Sequence, residues 1–529
     1  MKVLTAAEMR EVDRQTIAVL RIPSFQLMEN AGRRVVEFLL DQLPGLAMRR
    51  IVALCGKGNN GGDGLVVARL LRQQGMAPEV YLFSPPAELK GDAGENLRRW
   101  EAQGGRIIVI KDPDEWETAR GTLAGAQVLI DALLGTGLDG PAKGLLSVVI
   151  ADVNRLRGHA TVVAVDTPSG LSPDAVQSAG EVVQADYTVT FTAPKVGQLL
   201  SPASERVGRL VVRSIGTPPD LIDSVSESKV RWLEPGEFRM LPWKRPLGAH
   251  KGDFGHALIV AGSAGKSGAA ALAAWGAVRS GAGLVTVATP AEVLPIVAST
   301  LPEMMSEPML GTEAGSISSR NLEYGRFSRI LKGKNVMAIG PGLSTDEDTQ
   351  RFVRSVMAET ELPIILDADG LNAYAGRAAE QRQRKTHYLV ITPHPGEMAR
   401  LIGRTAAEVQ ESRLRVALDA ASRWNAFVVL KGQHTIVATP DGRSFFNSTG
   451  NPGMATGGMG DVLTGILAGL TAQFGTGQWE RILGLGVYLH GLAGDLAATE
   501  LGEAPMTASD LIRLLPRAYR QTSAEALSG

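Results

Sequence analysis

Short runs that are apolar at nearly every position, separated by helical patterns, constrain this chain more than any other feature. In the first half they fall at 51–55, 79–83, 128–131, 161–166, 187–191 and 210–212. In the second half they fall at 257–261, 284–288, 336–339, 364–367, 389–392 and 427–430. A strand apolar at both alternating positions has no face for water. It belongs in a parallel sheet covered by helices on both sides. Each half is therefore expected to be a three-layer αβα domain. The helical stretch 65–74 joins the first two runs into a βαβ unit. The segment 433–448 reads as a hairpin around Pro440-Asp441-Gly442, and helices are expected near 461–473, 481–500 and 509–519.

At 529 residues the chain is too long for one core. Its pattern breaks at Gly216-Thr217-Pro218-Pro219 and again at Pro242-Trp243-Lys244-Arg245-Pro246, which are turn-rich. The expected division is 1–216, a linker 217–245, and 246–521. The two blocks share a class but no motif, so no internal repeat is expected. The net charge is -1, which gives no broad attraction to nucleic acid or to an anionic membrane. No run of roughly 18 apolar residues is read, so no membrane span is expected. Acidic and basic residues follow Met1 closely where a signal peptide would be apolar, and cytoplasm is the expected location. The single cysteine, Cys55, excludes an intrachain disulfide and reads as a packed strand residue rather than a reactive thiol.

Gly56-Lys57-Gly58-Asn59-Asn60-Gly61-Gly62-Asp63-Gly64 stands between a strand and a helix. Such a loop can offer several N–H groups beside a helix N-terminus to an anion. Its glycines match G-x-G-x-x-G, but the next strand ends Tyr81-Leu82-Phe83-Ser84. The acid that would hold a ribose is missing there, which weakens an ordinary dinucleotide reading. Asp131 and Asp166 end other strands, the latter before Thr167-Pro168-Ser169-Gly170. Asn60, Asp131, Asp166 and Ser169 could converge in one crevice, where hard oxygen ligands suit K⁺ or Mg²⁺. Either acid could instead cap a helix. Lys195, after another strand, could meet a phosphate or a reacting oxygen, or could lie at the surface.

The strongest motif is Gly450-Asn451-Pro452-Gly453-Met454-Ala455-Thr456-Gly457-Gly458-Met459-Gly460-Asp461. Glycine amides before an apolar helix can surround a phosphoryl group, and Asp461 is placed to take a proton from a hydroxyl. Other strand ends carry Gly340-Pro341-Gly342, Asp367-Ala368-Asp369 and Thr392-Pro393-His394-Pro395-Gly396-Glu397, which argues for a cleft. His394 could equally be structural. Gly265-Lys266-Ser267 imitates the end of a P-loop. Val260 stands where that motif needs its first glycine, so Walker A is rejected.

Together these motifs resemble the bifunctional NAD(P)H-hydrate repair family. That resemblance implies a Rossmann-like epimerase domain (the YjeF N-terminal fold) followed by a ribokinase-like, ADP-dependent (S)-NAD(P)H-hydrate dehydratase domain. By resemblance, Asn59, Asn60, Gly61, Gly62, Asp63, Gly135, Thr136, Gly137, Leu138, Asp139, Gly140 and Asp166 would hold NADHX or NADPHX in the epimerase. Asn60, Asp131 and Ser169 would bind K⁺. In the dehydratase, Ala269, Gly342, His394 and Asp461 would meet the hydrate. Lys431, Gly432, Gln433, His434, Thr435 and Gly460 would meet ADP, which would bring Mg²⁺. Asp166 and Asp461 are the expected catalytic groups, and a homo-oligomer is expected from the family alone. Two rivals stay open: a small-molecule kinase whose product keeps its phosphate, and a first domain that only binds.

Overall fold

The structure, a computed structural model, describes residues 1–137, 140–175 and 179–528. The chain forms two units, Met1–Ser228 and Lys229–Gly529. In the first, the expected strands form at β1 (Ile51–Cys55), β2 (Glu79–Leu82), β4 (Val128–Ala132), β5 (Thr161–Val165), β6 (Tyr187–Phe191) and β7 (Arg209–Arg213). An unexpected strand, β3 (Ile107–Val109), adds an edge. Three half-exposed residues are too short a run to show a period. The sheet is parallel throughout, in the order β3-β2-β1-β4-β5-β6-β7.

Alternation divides each strand between two cores. Ile51, Ala53 and Cys55 pack with the helices Ser24–Gln42 and Asn59–Gln73. Val52 and Leu54 pack with Pro113–Leu123 and Leu145–Arg155 on the other face. Helices thus cover both faces. The chain winds one way from β1 to β3 and the other way from β4 onward. Between β1 and β4 the strand ends open a crevice.

The second unit holds β8 (Val230–Trp232), β9 (His256–Val260), β10 (Leu284–Pro290), β11 (Met305–Met309), β12 (Val336–Ile339), β13 (Ile364–Leu366), β14 (Leu389–Ile391), β15 (Phe427–Leu430), β16 (Ile436–Ala438) and β17 (Ser444–Phe446). Their order is β11-β10-β9-β12-β13-β14-β15-β16-β17-β8. The expected hairpin is β16–β17, antiparallel, and β8 adds in parallel at its edge. The expected linker 217–245 is divided between the units. Pro219 starts a helix, Pro219–Val225, in the first unit, and β8 belongs to the second. Proline reads as punctuation, yet it also suits the first position of a helix. The reversal in this sheet lies between β9 and β12.

The helix Trp479–Leu501 is long and apolar enough by composition to span a bilayer, contrary to the sequence reading. Its apolar window is 67% buried within the unit, where Ile482, Leu483, Leu485 and Leu489 join the main core. Beside it, the helices Ser267–Arg279 and Met459–Phe474 meet backbone to backbone. A Cβ on Gly465 would lie 1.9 Å from the Ala273 carbonyl oxygen, and one on Gly469 2.4 Å from that of Ala277. Small residues are required here because no side chain fits between the helices. This contact places the helix that carries Asp461. Gly465→Ala is therefore expected to lower the stability of the second unit by about 1–3 kcal/mol. Chemical denaturation read on that unit checks this, and an unchanged midpoint would refute the packing argument.

Candidate active sites

At the β1/β4 crevice lies a cavity of about 920 Å³. The loop proper is only Gly56-Lys57-Gly58, because the helix already starts at Asn59, six residues before the sequence reading placed it. Asn59, Asn60 and Asp63 line the cavity, as do Gly135, Thr136 and Gly137 after β4 and Asp166 after β5. Gly61 and Gly62 are not in its wall. A Cβ on Gly61 would lie 1.8 Å from the Gly56 carbonyl oxygen, and one on Gly62 2.8 Å from Met28. These glycines let the helix sit directly on the strand end. Gly140, at φ +86°, stands outside the wall as well. Leu138 and Asp139 lie outside the described residues.

Beneath the wall is a buried oxygen cluster. Ser169 donates from N to Asp131 at 2.8 Å and from Oγ at 2.5 Å, while Ser169 Oγ accepts from Leu134 N at 2.9 Å. Asn60 Nδ2 donates to the Leu134 carbonyl at 2.8 Å, which leaves Asn60 Oδ1 buried with no partner. Burial pushes the Asp131 carboxyl up to about 6 against the hydrogen bonds from Ser169. Asp131 is a strand residue and caps no helix. Cys55, one strand over, is wholly buried, and burial pushes its thiol far up, so it is the inert strand residue expected.

Asp166 does not cap a helix either. It sits at φ +62°, a region that non-glycine residues occupy at a cost of about 1–3 kcal/mol and that clusters at functional sites. Its Oδ1 accepts from Lys195 Nζ at 2.6 Å, Thr190 Oγ1 at 3.0 Å and Phe191 N at 3.4 Å. Lys195 is 1% exposed and lines the cavity, so the surface reading of this lysine is wrong. Sequence reasoning also missed Asp13, which lines the same cavity from the helix Ala6–Ala18. Burial raises Asp13 to about 6, with Lys195 pulling down and Asp166 pushing up. Burial likewise raises Asp63 well above the ordinary range, helped by Asp166 and Asp13.

In the second unit a cleft of about 440 Å³ lies at the β9/β12 reversal. Ala269, Gly342 and Asp461 line it, together with Gly457, Gly458, Lys266 and Asp369. Gly342 has φ +62°, and a Cβ there would lie 2.9 Å from Ala269 Cβ. Ser263 Oγ holds the Gly342 carbonyl at 2.7 Å. The helix begins at Met459, after Gly458 at φ +88°. Asp495 fixes the start of the glycine-rich segment, accepting from Gly450 N and Asn451 Nδ2, each at 2.9 Å. Lys266 fails as a P-loop lysine but reaches the cleft anyway, paired to Asp369 at 3.0 Å.

Behind the cleft, Lys431 Nζ donates to Asp367 Oδ1 at 2.9 Å and lies 3.6 Å from Glu397. Thr464 Oγ1 donates to Asp367 Oδ2 at 2.7 Å. Burial would pull the Lys431 ammonium down, but Asp367 and Glu397 more than offset it and hold it above its ordinary value. Burial, then Asp367, raises Asp461 to about 6, and Lys431 opposes them. Gly460 faces Lys431, since a Cβ there would lie 3.4 Å from Nζ. His394 caps the helix Pro395–Ile402 through Nδ1, and burial lowers its pKa. His394 is half exposed and lies outside the wall of the cleft, as do Lys431, Gly432, Gln433, His434 and Thr435.

The loop from Lys431 to Thr435 is pinned from below by buried Arg413, which donates to the carbonyls of Leu430, Lys431 and Gln433. Gly432 and Gln433 are exposed. The His434 ring turns inward, with Nδ1 against the Asn447 carbonyl at 3.1 Å and its edge on Trp232. Burial lowers its pKa to about 4.

Residues 24–197 match the family model of the YjeF-related protein N-terminus, and residues 257–517 match that of NAD(P)H-hydrate dehydratase. The chain is 43% identical to the bifunctional NAD(P)H-hydrate repair enzyme Nnr of Moorella thermoacetica, over 99% of this chain and 98% of that one. It is 40% identical to the enzyme of the same name from Thermofilum pendens, over 98% and 96%. Among solved structures, the ADP/ATP-dependent NAD(P)H-hydrate dehydratase of Bacillus subtilis, co-crystallised with ATP/Mg²⁺, is 33% identical. That match covers 55% of this chain and 99% of that one, with a TM-score of 0.48.

The Lys431–Asp367 pair yields a stability prediction. Lys431→Met leaves Asp367 buried without its counter-charge, and a loss on the order of 3 kcal/mol is expected. Adding Asp367→Asn should recover much of it. Denaturation of the three proteins tests this, and a double variant no more stable than the single would refute it.

Proposed function

The chain belongs to the bifunctional NAD(P)H-hydrate repair family, and from that premise we propose that its two sites work on the two epimers of one damaged nucleotide. The first unit interconverts R and S forms of NADHX and NADPHX. The second dehydrates the S form with ADP and releases NAD(P)H, AMP and phosphate.

The observation that carries the dehydratase reading is the convergence of Ala269, Gly342, Gly457, Gly458 and Asp461 on one cleft at a helix N-terminus. The hydrate has a hydroxyl at C6 beside the ring nitrogen. Asp461 takes its proton while the oxygen attacks the terminal phosphoryl group of ADP. The N–H groups at the start of the helix Met459–Phe474 stabilise the charge that develops there. The C6–O bond of the resulting phosphate ester then breaks with electrons from the ring nitrogen. Loss of a proton from C5 restores the dihydronicotinamide. Lys431 offsets the charge of Asp367 beside this chemistry. The exposed Gly432 and Gln433 supply a surface for the nucleotide, whereas His434 serves the loop rather than the ligand.

Asp367, Asp369, Glu397 and Asp461 outnumber Lys266 and Lys431 around the cleft, so an anionic nucleotide needs a further cation. No cluster of three metal-binding side chains occurs among the described residues. This suits Mg²⁺ held largely by the nucleotide's own oxygens, where it would neutralise phosphate charge.

In the first unit, Asn60, Asp131 and Ser169 would hold K⁺. The unpartnered Asn60 Oδ1 and the single carboxylate fit a weakly held monovalent ion, which would satisfy that oxygen and offset Asp131. Asp166, paired to Lys195, acts there as an acceptor that orients the substrate. The sequence reading of Asp166 as the acid gives way to this, because three donors already converge on its Oδ1.

The test mixes R and S NADPHX with the protein, Mg²⁺, K⁺ and ADP and follows NADPH absorbance. Recovery of both epimers with AMP formed is expected. No NADPH from well-folded protein would sink the assignment, and a stable phosphorylated product would favour a kinase. Asp461→Asn should lower kcat on the S form by about 10²–10⁴-fold. A base must be deprotonated, so the wild-type rate should rise with pH through about 6 and level off above it, a limb the variant lacks. K⁺ should also raise the melting temperature of the first unit by mass action, and Asp131→Ala should abolish that shift. Equal stabilisation of the variant would remove Asp131 from the site.

A further inference from the structure

Asp13 enters the first cavity from a helix that precedes residues 24–197, the span of the matched family model. Arg10, Asp13 and Ile17 share one helix face toward the cavity, while Val12 and Thr16 are buried behind it. The helix is firmly placed. Thr5 and Glu8 form a capping box, and Ala6 N donates to Asp174 at 2.7 Å. Leu4 N donates to the Pro194 carbonyl at 3.0 Å, and Val196 N donates to the Leu4 carbonyl at 3.3 Å. The segment is thus stitched to the loop that delivers Lys195. Nevertheless, the Asp13 side chain has no hydrogen-bond or ion-pair partner among the described residues, and neither has that of Asp63. A half-buried carboxyl on a cavity wall, with no protein partner, is free to meet a ligand.

We propose that Asp13 is the proton donor and acceptor at the C6 hydroxyl during epimerisation, with Asp166 held by Lys195 as the fixed negative charge beside it. This rests on the epimerase reading of the first unit. Asp13 gives its proton to the hydroxyl as the C6–O bond breaks, and the oxygen leaves as water with the bonding pair. The ring nitrogen's lone pair forms the C=N bond, so C6 becomes planar. Water adds to either face of C6, and the Asp13 carboxylate takes the surplus proton. Nothing is oxidised or reduced. The groups facing Asp13 are Lys195 and Asp166 from the strand ends, Asp63 from the helix Asn59–Gln73, and Arg10 on its own helix. Asp166 adds negative charge that favours both a protonated Asp13 and the cationic intermediate. Burial and Asp166 raise Asp13 to about 6, with Lys195 opposing, which suits an exchange in both directions near neutral pH.

The test uses the full chain. Conversion of R to S NADPHX without ADP is followed chromatographically, and dehydration of the pure S form with ADP is measured separately. If the wild-type protein does not epimerise, the epimerase reading itself fails, whatever Asp13 does. If it does epimerise, Asp13→Asn should lose about 100-fold or more in kcat with KM within about threefold. Dehydration of the S form should stay unchanged. Because the acid must be protonated, wild-type epimerisation should fall as pH rises through about 6, and the variant should lack that limb. A retained kcat, or a reduced kcat with the same limb, overturns the proposal. If the asparagine variant does not fold, Asp13→Glu is read instead. A displaced limb supports the assignment, and an unmoved one overturns it.

Discussion

Strands buried on both faces leave little room for unpaired charge inside either unit. A charge within a sandwiched strand would lose its water without compensation, so the polar chemistry gathers at the carboxyl ends, where the loops begin. Both sheets reverse their winding once, between β1 and β4 and between β9 and β12. At each reversal neighbouring loops part, and each site occupies that gap. Glycines then bring backbone close to backbone at Gly56 and Gly61 in the first unit and, between two helices, at Gly465 in the second.

The two sites meet the cost of desolvation in a similar way despite sharing no motif. In each, a strand-end carboxylate is paired to a lysine from a later strand end: Asp166 with buried Lys195, and Asp367 with half-buried Lys431. A threonine hydroxyl adds a hydrogen bond in both, from Thr190 and from Thr464. The paired acid is locked. Beside it stands a second carboxyl raised by burial, Asp13 in one site and Asp461 in the other. Fixing one charge while leaving a neighbour free to titrate gives each site one locked carboxylate and one that can change protonation near neutral pH.

Apolar runs located the long strands to within a residue or two, because burial on both faces writes itself into every position. The short edge strands β3, β8 and β11 were not legible. Their side chains are partly exposed, and three to five residues carry no usable period. Gly56–Gly64 was legible as a site but not as structure. Glycine signals a loop by propensity, whereas here it permits the close approach of a helix that begins at Asn59. Proline at 219 was read as a break, though it opened a helix.

By itself the sequence determined the class of both units, the family, the strand ends that line the two cavities, and the place of Asp461 at the start of its helix. These depend on local pattern and on motifs contiguous in the chain. Only the tertiary structure decided which charges meet. Lys195 pairs with Asp166 across 29 residues and Lys431 with Asp367 across 64. Asp13 reaches its cavity from a helix with no motif of its own. Such pairings depend on the order of strands in a sheet, which local propensity does not encode. The protonation of each acid depends in turn on how much water that assembly leaves around it.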